Sequence, residues 1–230
     1  MIAIIKRLIM KQDKLLVITS FLFYLKFIFS FSLTKRGSNN QINISRDVIL
    51  RKCRIKIIGD RNKIFISSKS RLTGLSIEIF GNDNIINISD KVVFYESGRM
   101  ELDANNCSII IGEKCTFGSA YIFTGENDTS ILIGNDCMFS RDIGMNTSDF
   151  HSIIDLETST RINKPKNIII GQHVWVGNSA FINKGAEIGD HCVIAQRALV
   201  PGKFFENNSL IAGFPAKIIK SNISWSREKL

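Results

Sequence analysis

The sequence predicts an all-β protein built as a parallel β-helix, and two observations lead to this fold class. Neither an α-helix, with about 3.6 residues per turn, nor an isolated strand, with a period of two, gives a strict six-residue repeat, whereas the flat sides of a triangular coil do. An aliphatic residue occupies every sixth position, at Ile170, Val176, Ile182, Ile188, Ile194 and Val200. A small or compact residue follows each of the first five by four positions, at Val174, Ala180, Ala186, Cys192 and Ala198.

The same architecture extends towards the N-terminus in a less regular form. Short apolar segments alternate with Gly, Asn and Asp corners, which tolerate positive φ; they cover residues 42–44, 55–60, 64–66, 77–82, 85–88, 109–112 and 131–134. Because these segments drift out of phase, we expect looser coils that carry insertions. The six-residue repeat is interrupted over residues 140–167, resumes at Ile168 and is lost after Pro201. We therefore predict a β-helix over residues 37–205 with a loop insertion at 140–167, and a tail at 206–230 that ends in a short helix.

Residues 1–36 differ from the rest of the chain. The run from Leu15 to Leu33 is apolar and aromatic, is interrupted by Lys26 and has basic residues on both sides. A membrane-spanning helix would bury Lys26 at a cost of a few kcal/mol. We predict a helix that lies in the membrane interface with its basic flanks on anionic headgroups. A helix that packs on its own oligomer is the alternative.

Composition narrows the function classes. The 230 residues carry a net charge of +9, but the cations are scattered, which favours solvated faces, an anionic membrane surface or a phosphorylated cofactor over nucleic acid. The five cysteines form no Cys-x-x-Cys pair, so neither a zinc site nor a disulfide framework is indicated. Four of them occupy the small inward position of a repeat, where we expect them to be buried: Cys53, Cys115, Cys137 and Cys192. An odd number of cysteines without paired spacing is consistent with a reducing cytoplasm.

The three histidines and one tryptophan depart from the repeat in different ways. His173 and His191 occupy equivalent corners three hexapeptides apart, so they should stack as solvent-facing corner residues; a shared metal would need a third ligand. His151 lies in the insertion, where a histidine on a rigid scaffold is a candidate general base. Trp175 is too large for the coil interior and should project into a groove, cap an insertion or form a subunit contact.

Three segments together resemble the hexapeptide-repeat acetyltransferases, and most of all the galactoside, maltose and capsular-polysaccharide O-acetyltransferases. These segments are residues 168–178 (IIIGQHVWVGN), 185–190 (GAEIGD) and 212–217 (AGFPAK). The resemblance covers about residues 107–225. It implies a left-handed winding of the β-helix, a homotrimer, and acetyl-CoA bound as co-substrate between neighbouring subunits.

The resemblance also implies roles for individual residues. In the family, the catalytic histidine precedes the tryptophan of this motif by four hexapeptide lengths, which is the spacing of His151 and Trp175. His151 would then accept the proton of a sugar hydroxyl, and Trp175 would form a wall beside the acetyl-CoA thioester. A hydroxyl needs such a base because it is a weak nucleophile near neutral pH.

Six further positions correspond to acetyl-CoA contacts of the family. Asn178 matches directly, while Gln196 replaces the usual Ala or Gly beside the pantetheine, and Pro201 and Gly202 stand where a Thr-Lys pair is common. Lys217 and Lys220 match basic positions near the 3′-phosphate of CoA, a role that needs only a flexible cation.

The sequence thus predicts an acetyl-CoA-dependent O-acetyltransferase that acts on a capsular or O-antigen saccharide at the inner face of the cytoplasmic membrane. An N-acetyltransferase of an amino sugar nucleotide is one alternative, although residues 1–38 are too short for the nucleotide-binding domain that such relatives carry. A non-enzymatic or metal-binding β-helix is the other, and the His151–Trp175 spacing disfavours it. No metal site is predicted.

Overall fold

The computed structural model describes residues 31–229, which form 23 β-strands and no helix. This confirms the all-β class and the parallel coil. The strands are β1 (Phe31–Arg36), β2 (Gln41–Ile44), β3 (Ile49–Arg51), β4 (Cys53–Ile58), β5 (Lys63–Ile66), β6 (Arg71–Thr73), β7 (Leu75–Phe80), β8 (Ile85–Ile88), β9 (Val93–Asp103), β10 (Ser108–Ile111), β11 (Thr116–Thr124), β12 (Ser130–Ile133), β13 (Met138–Phe139), β14 (Ile143–Asn146), β15 (Ile168–Ile170), β16 (Trp175–Val176), β17 (Phe181–Asn183), β18 (Glu187–Ile188), β19 (Val193–Ile194), β20 (Leu199–Val200), β21 (Phe204–Phe205), β22 (Leu210–Gly213) and β23 (Ala216–Lys220).

The strands stack into the three faces of a triangular prism. The first face is β2-β5-β8-β10-β12-β15-β18-β21. The second face runs from β3 and β6 through the first residues of β9 and β11 to β13, β16, β19, β22 and the antiparallel β23. The third face is β1, β4 and β7, the last residues of β9 and β11, then β14, β17 and β20.

Pairing registers give the length of each coil. Ile42 pairs with Ile64, so this coil is longer than three hexapeptides, which agrees with the looser coils predicted for this region. Ile169 pairs with Glu187, and the coil between them is three hexapeptides long, as the strict repeat requires. Ile131 pairs with Ile168, much farther along the chain, so this one coil carries the large insertion.

The core is a set of ladders that run along the prism axis. All six aliphatic residues of the strict repeat are at most 2% exposed, and the five small ones at most 1%. Phe94, Phe117 and Phe139 stack in successive coils with ring centroids 4.3 and 4.4 Å apart. Because a single coil cannot enclose these side chains, stability comes from the stack as a whole. The four cysteines predicted to point inward are buried and free: Cys53, Cys115, Cys137 and Cys192.

Neither predicted terminal helix is present among residues 31–229. Residues 1–30 of the predicted interfacial helix lie outside the described residues, but its last six residues form β1, which pairs with β4 on the third face. The short C-terminal helix is wrong, because residues 216–220 form a strand on β22 and the rest of the tail runs along the prism in contact with its corners. No membrane-crossing helix is found among residues 31–229.

Candidate active site

The longest departure from the repeat is the loop at residues 147–167, between β14 and β15. Residues 143–146, at the start of the predicted insertion, stay in the coil as β14. The loop folds back as a narrow hairpin in which Ile154 and Arg161 form an antiparallel bridge. At its tip, the Asp155 carboxylate accepts two backbone N–H bonds, of 2.8 and 3.0 Å. The insertion is therefore an ordered arm that leaves the corner between the third and first faces.

A bidentate ion pair between Arg161 and Glu126 attaches this arm to the prism. Arg161 donates to both carboxylate oxygens of Glu126, at 2.5 and 2.6 Å, and the Ser148 hydroxyl donates to Glu126 at 2.5 Å. The Arg161 guanidinium lowers the pKa of Glu126 to about 2, despite the opposing effect of burial. Since the paired side chains are only 26% and 24% exposed, solvent screens the pair incompletely.

A second set of contacts fixes the backbone around the candidate base. Asn163 donates through Nδ2 to the carbonyl of His151 at 2.7 Å and to the Asp149 carboxylate at 2.9 Å. Lys184 donates to the same carboxylate at 2.5 Å and to the Asn163 carbonyl at 2.8 Å. Lys184 holds the pKa of Asp149 below its usual value. His151 thus stands on a backbone held from two sides.

The imidazole of His151 itself is exposed, and no described residue makes a hydrogen bond to it. Its neighbour Phe150 has φ of +66° and stacks on Phe123 at 4.7 Å between ring centroids. This contact turns the chain sharply, so that Phe150 packs on the prism while His151 faces outward. A ring presented in this way is open to contact by a group that lies outside the arm.

Trp175 lies on the second face, in register with Met138 below and Val193 above. Its side chain is 39% exposed. The His151 loop leaves the opposite corner of the prism, between the third and first faces. A single chain therefore does not bring these two predicted catalytic residues together.

The predicted cofactor residues divide between these two regions. Asn178 and Gln196 lie in successive coils at the corner between the second and third faces, where Arg197 N donates to the Asn178 carbonyl at 2.8 Å. Pro201 and Gly202 lie at the corner of the His151 loop instead. A Cβ at Gly202 would come within 2.3 Å of the Lys184 carbonyl oxygen, so only glycine fits at this position.

Lys217 and Lys220 are exposed on β23, at the end of the second face. β16, β19, β22 and β23 are consecutive in this face, so three strand spacings of about 4.8 Å place the lysines about 14 Å from Trp175 along the axis. The second face therefore carries an indole at one level and two cations farther along, with Asn178 and Gln196 at its edge.

His173 differs from the prediction of a solvent-facing corner residue. Its ring is 5.4 Å from that of His191, so the two histidines are neighbours as expected. However, Trp225 of the C-terminal tail stacks on His173 at 4.2 Å, and His173 Nδ1 lies 2.7 Å from Asp136 Oδ2. Among residues 31–229, no group of three or more His, Cys, Asp or Glu side chains is placed to hold a metal ion.

Sequence reasoning missed the residues that position the arm and the tail. Glu126 and Arg161 are far apart in the sequence and no motif links them, so nothing in the sequence signalled this pair. The rarity of tryptophan could have drawn attention to Trp225, which is one of two tryptophans in the chain.

Comparison with known proteins agrees with this architecture. Residues 167–202 match the family model "Bacterial transferase hexapeptide (six repeats)". A polysialic acid O-acetyltransferase of Neisseria meningitidis is 35% identical over 195 residues, which are 85% of this chain and 89% of the relative.

Two solved structures share the fold over most of the chain. The polysialic acid O-acetyltransferase OatWY superposes with a TM-score of 0.79 and 33% identity, over 87% of this chain and 93% of that one. The polysialic-acid-specific acetyltransferase NeuO superposes with a TM-score of 0.72 and 31% identity, over 86% of this chain and 90% of that one. The chain therefore belongs to the hexapeptide-repeat acyltransferases, and within them to the polysaccharide O-acetyltransferases.

Proposed function

We propose that this chain transfers an acetyl group from acetyl-CoA to a hydroxyl of a capsular or O-antigen saccharide, at sites that two subunits of a homotrimer build together. The observation that carries the proposal is the placement of His151 and Trp175 on opposite sides of one prism. Groups that act on the same reacting atoms must lie within roughly 3–4 Å of them, so the two residues of one site come from different subunits. The named relatives act on polysialic acid, which makes this polymer the first acceptor to test.

The second face suits acetyl-CoA. Lys217 and Lys220 offer exposed cations for its phosphate groups, and Trp175 offers an apolar surface three strands away on the same face. Asn178 offers a side-chain amide along its edge. When bound, acetyl-CoA supplies the acetyl group as a thioester.

The residues of this chain then supply base catalysis and positioning. His151 takes the proton of the saccharide hydroxyl as that oxygen bonds to the acetyl carbon, and returns the proton to the departing sulfur as the carbon–sulfur bond breaks. Trp175 limits where the reacting group can lie and excludes water from it. The Asn163 bond to the His151 carbonyl keeps the base in place.

Left-handed winding of the coil, implied by the resemblance, is part of this proposal. So is a cytoplasmic location, with residues 1–30 lying on the inner face of the membrane. Flotation with vesicles rich in anionic lipid tests the membrane contact: the full chain should float and a chain that starts at Phe31 should not. Equal flotation of the two chains would contradict it. The shorter chain keeps β1, the first strand of the third face.

The activity is tested with the purified protein, acetyl-CoA and polysialic acid, by following thiol release and acetylation of the polymer by mass spectrometry. We expect one acetyl group per thiol released, removable by mild base as an ester is and an amide is not. His151→Ala should lower kcat by about 10²–10⁴-fold with little change in acetyl-CoA affinity, whereas His191→Ala, at an exposed corner, should change neither. A His151→Ala variant with near-normal kcat would contradict the proposed role.

A further inference from the structure

The C-terminal tail after β23 runs back along the corner between the first and second faces. The Ile223 backbone N–H donates to the Asn208 carbonyl at 3.0 Å, and the Asn208 side chain donates through Nδ2 to the Ile223 carbonyl at 3.1 Å. Trp225 lies at the level of His173. Arg227 reaches past Asp136 towards earlier coils. The tail therefore lies beside Trp175 and continues along the prism away from the end that carries Lys217 and Lys220.

Trp225 is held in one orientation by His173. Its Nε1 donates to the His173 carbonyl at 2.7 Å, and its own carbonyl lies 3.1 Å from His173 Nε2. The two rings are nearly parallel, at 12°. A residue whose side chain and backbone are each held by a hydrogen bond, and whose ring is stacked, presents a defined surface.

Arg227 secures the tail beyond this point. Its guanidinium donates to the Asp136 carboxylate at 3.2 Å, to the Cys137 carbonyl at 3.2 Å and to the Thr116 hydroxyl at 3.0 Å. It also lies 5.5 Å from the centre of the Trp225 ring. Fixing each residue costs roughly 1–2 kcal/mol of conformational entropy, and these contacts offset part of that cost.

The two tryptophans of the chain meet at this place. The ring centroids of Trp175 and Trp225 are 6.2 Å apart and the rings are inclined at 48°, so they form an aromatic pair on the outside of the prism, in which both rings are partly exposed. Acetyl-CoA, as proposed above, occupies the stretch between the lysines and Trp175. Trp225 lies beside the proposed position of the thioester, and Arg227 lies beyond it, on the side away from the lysines.

We infer that Trp225 lines the acceptor subsite and that the C-terminal tail is the element that builds it. The part of the indole that His173 and Arg227 leave open, next to Trp175, contacts the apolar C–H face of a sugar ring beside the hydroxyl that is acetylated, while Arg227 positions the tail. This inference rests on the proposed function, and in particular on Trp175 marking the point of transfer.

Steady-state kinetics with acetyl-CoA and a short, size-defined oligomer of polysialic acid test the assignment. Trp225→Ala should raise the KM for the oligomer about tenfold or more and leave the KM for acetyl-CoA within about twofold. Trp225→Phe keeps an aromatic face and should recover most of the loss, although it lacks the bond to His173. Melting temperatures of both variants separate a binding effect from unfolding.

Fluorescence gives a readout that does not depend on turnover. In Trp175→Phe, Trp225 is the sole tryptophan of the 230 residues. Adding the oligomer should quench or shift its emission, whereas acetyl-CoA alone should change it little. Unchanged emission, together with an unchanged oligomer KM in Trp225→Ala, would overturn the inference if the wild type acetylates the oligomer.

Two other outcomes also decide the matter. A rise in the KM for acetyl-CoA instead of the oligomer would assign Trp225 to the donor site and overturn the acceptor assignment. A wild-type protein that acetylates no saccharide would overturn the proposed function, and this inference with it.

Discussion

Replacing Glu126 with Gln should release the arm that carries His151 without disturbing the prism. The substitution keeps the shape of the side chain and an oxygen that can accept the Ser148 bond. It removes the charge that pairs with Arg161 at 2.5 and 2.6 Å. The arm then retains the contacts of Asn163 and Phe150 but loses its ionic attachment.

The pKa of Glu126 gives the size of the effect. It lies at about 2, against an ordinary value of 4.5, which corresponds to roughly 3 kcal/mol at neutral pH. Because the side chain is 24% exposed, solvent reduces this figure, and we expect about 1–2 kcal/mol. The pKa is lowered in the folded protein, so the stabilisation is fully present above pH 4.5 and is lost as the pH falls towards about 2.

Hydrogen exchange of the amides in residues 147–167 measures this directly. A change of about 1–2 kcal/mol should speed opening of the arm by roughly 5- to 30-fold, and kcat should fall because His151 spends less time in place. Asp83→Asn is the matched control. It removes an exposed ion pair with Arg61, in the first coils, and should alter neither quantity.

Two results would refute this reasoning. One is exchange of the arm in Glu126→Gln at the wild-type rate. The other is loss of arm protection in the wild type between pH 7 and pH 5, where Glu126 is still ionised and the pair should hold.

Other parts of the molecule give further tests. Lys217→Ala should weaken acetyl-CoA binding about tenfold in calorimetry but leave the 3′-dephospho analogue almost unaffected, whereas Lys63→Ala should change neither; equal losses for both ligands would remove Lys217 from the 3′-phosphate. Ile131→Ala empties a fully buried position of the core ladder and should lower the free energy of unfolding by about 2–5 kcal/mol. Ile219→Ala, at an exposed position of β23, should cost little in the same denaturation experiment, and equal losses would contradict the ladder account.

The repeat was predictable from sequence because its cause is local. Each six-residue side of a coil needs one aliphatic and one small inward side chain, so residues 170–200 alone reveal the repeat. The earlier coils have the same ladders, but their turns are longer than three hexapeptides and the hexapeptide phase is lost. Pairing registers, which depend on neighbouring coils, are needed to recover them.

The candidate site was predictable only in part. His151 stood out because it breaks the repeat, and a resemblance supplied its partner Trp175. The ion pair that attaches the arm could not be predicted from the sequence, because Glu126 and Arg161 come together only when the coils stack. The C-terminal helix failed for a related reason: the tail satisfies its polar groups on His173 and other corner residues rather than within a helix.

Subunit complementation tests the central claim, that each active site takes His151 from one chain and Trp175 from another. His151→Ala and Trp175→Ala chains, each with strongly reduced activity alone, are co-expressed with different tags, and assemblies that carry both tags are purified. In every mixed trimer, one of the three interfaces joins an intact His151 to an intact Trp175, so activity should return to about one third of wild type. Co-assembled trimers no more active than either parent would contradict the shared site.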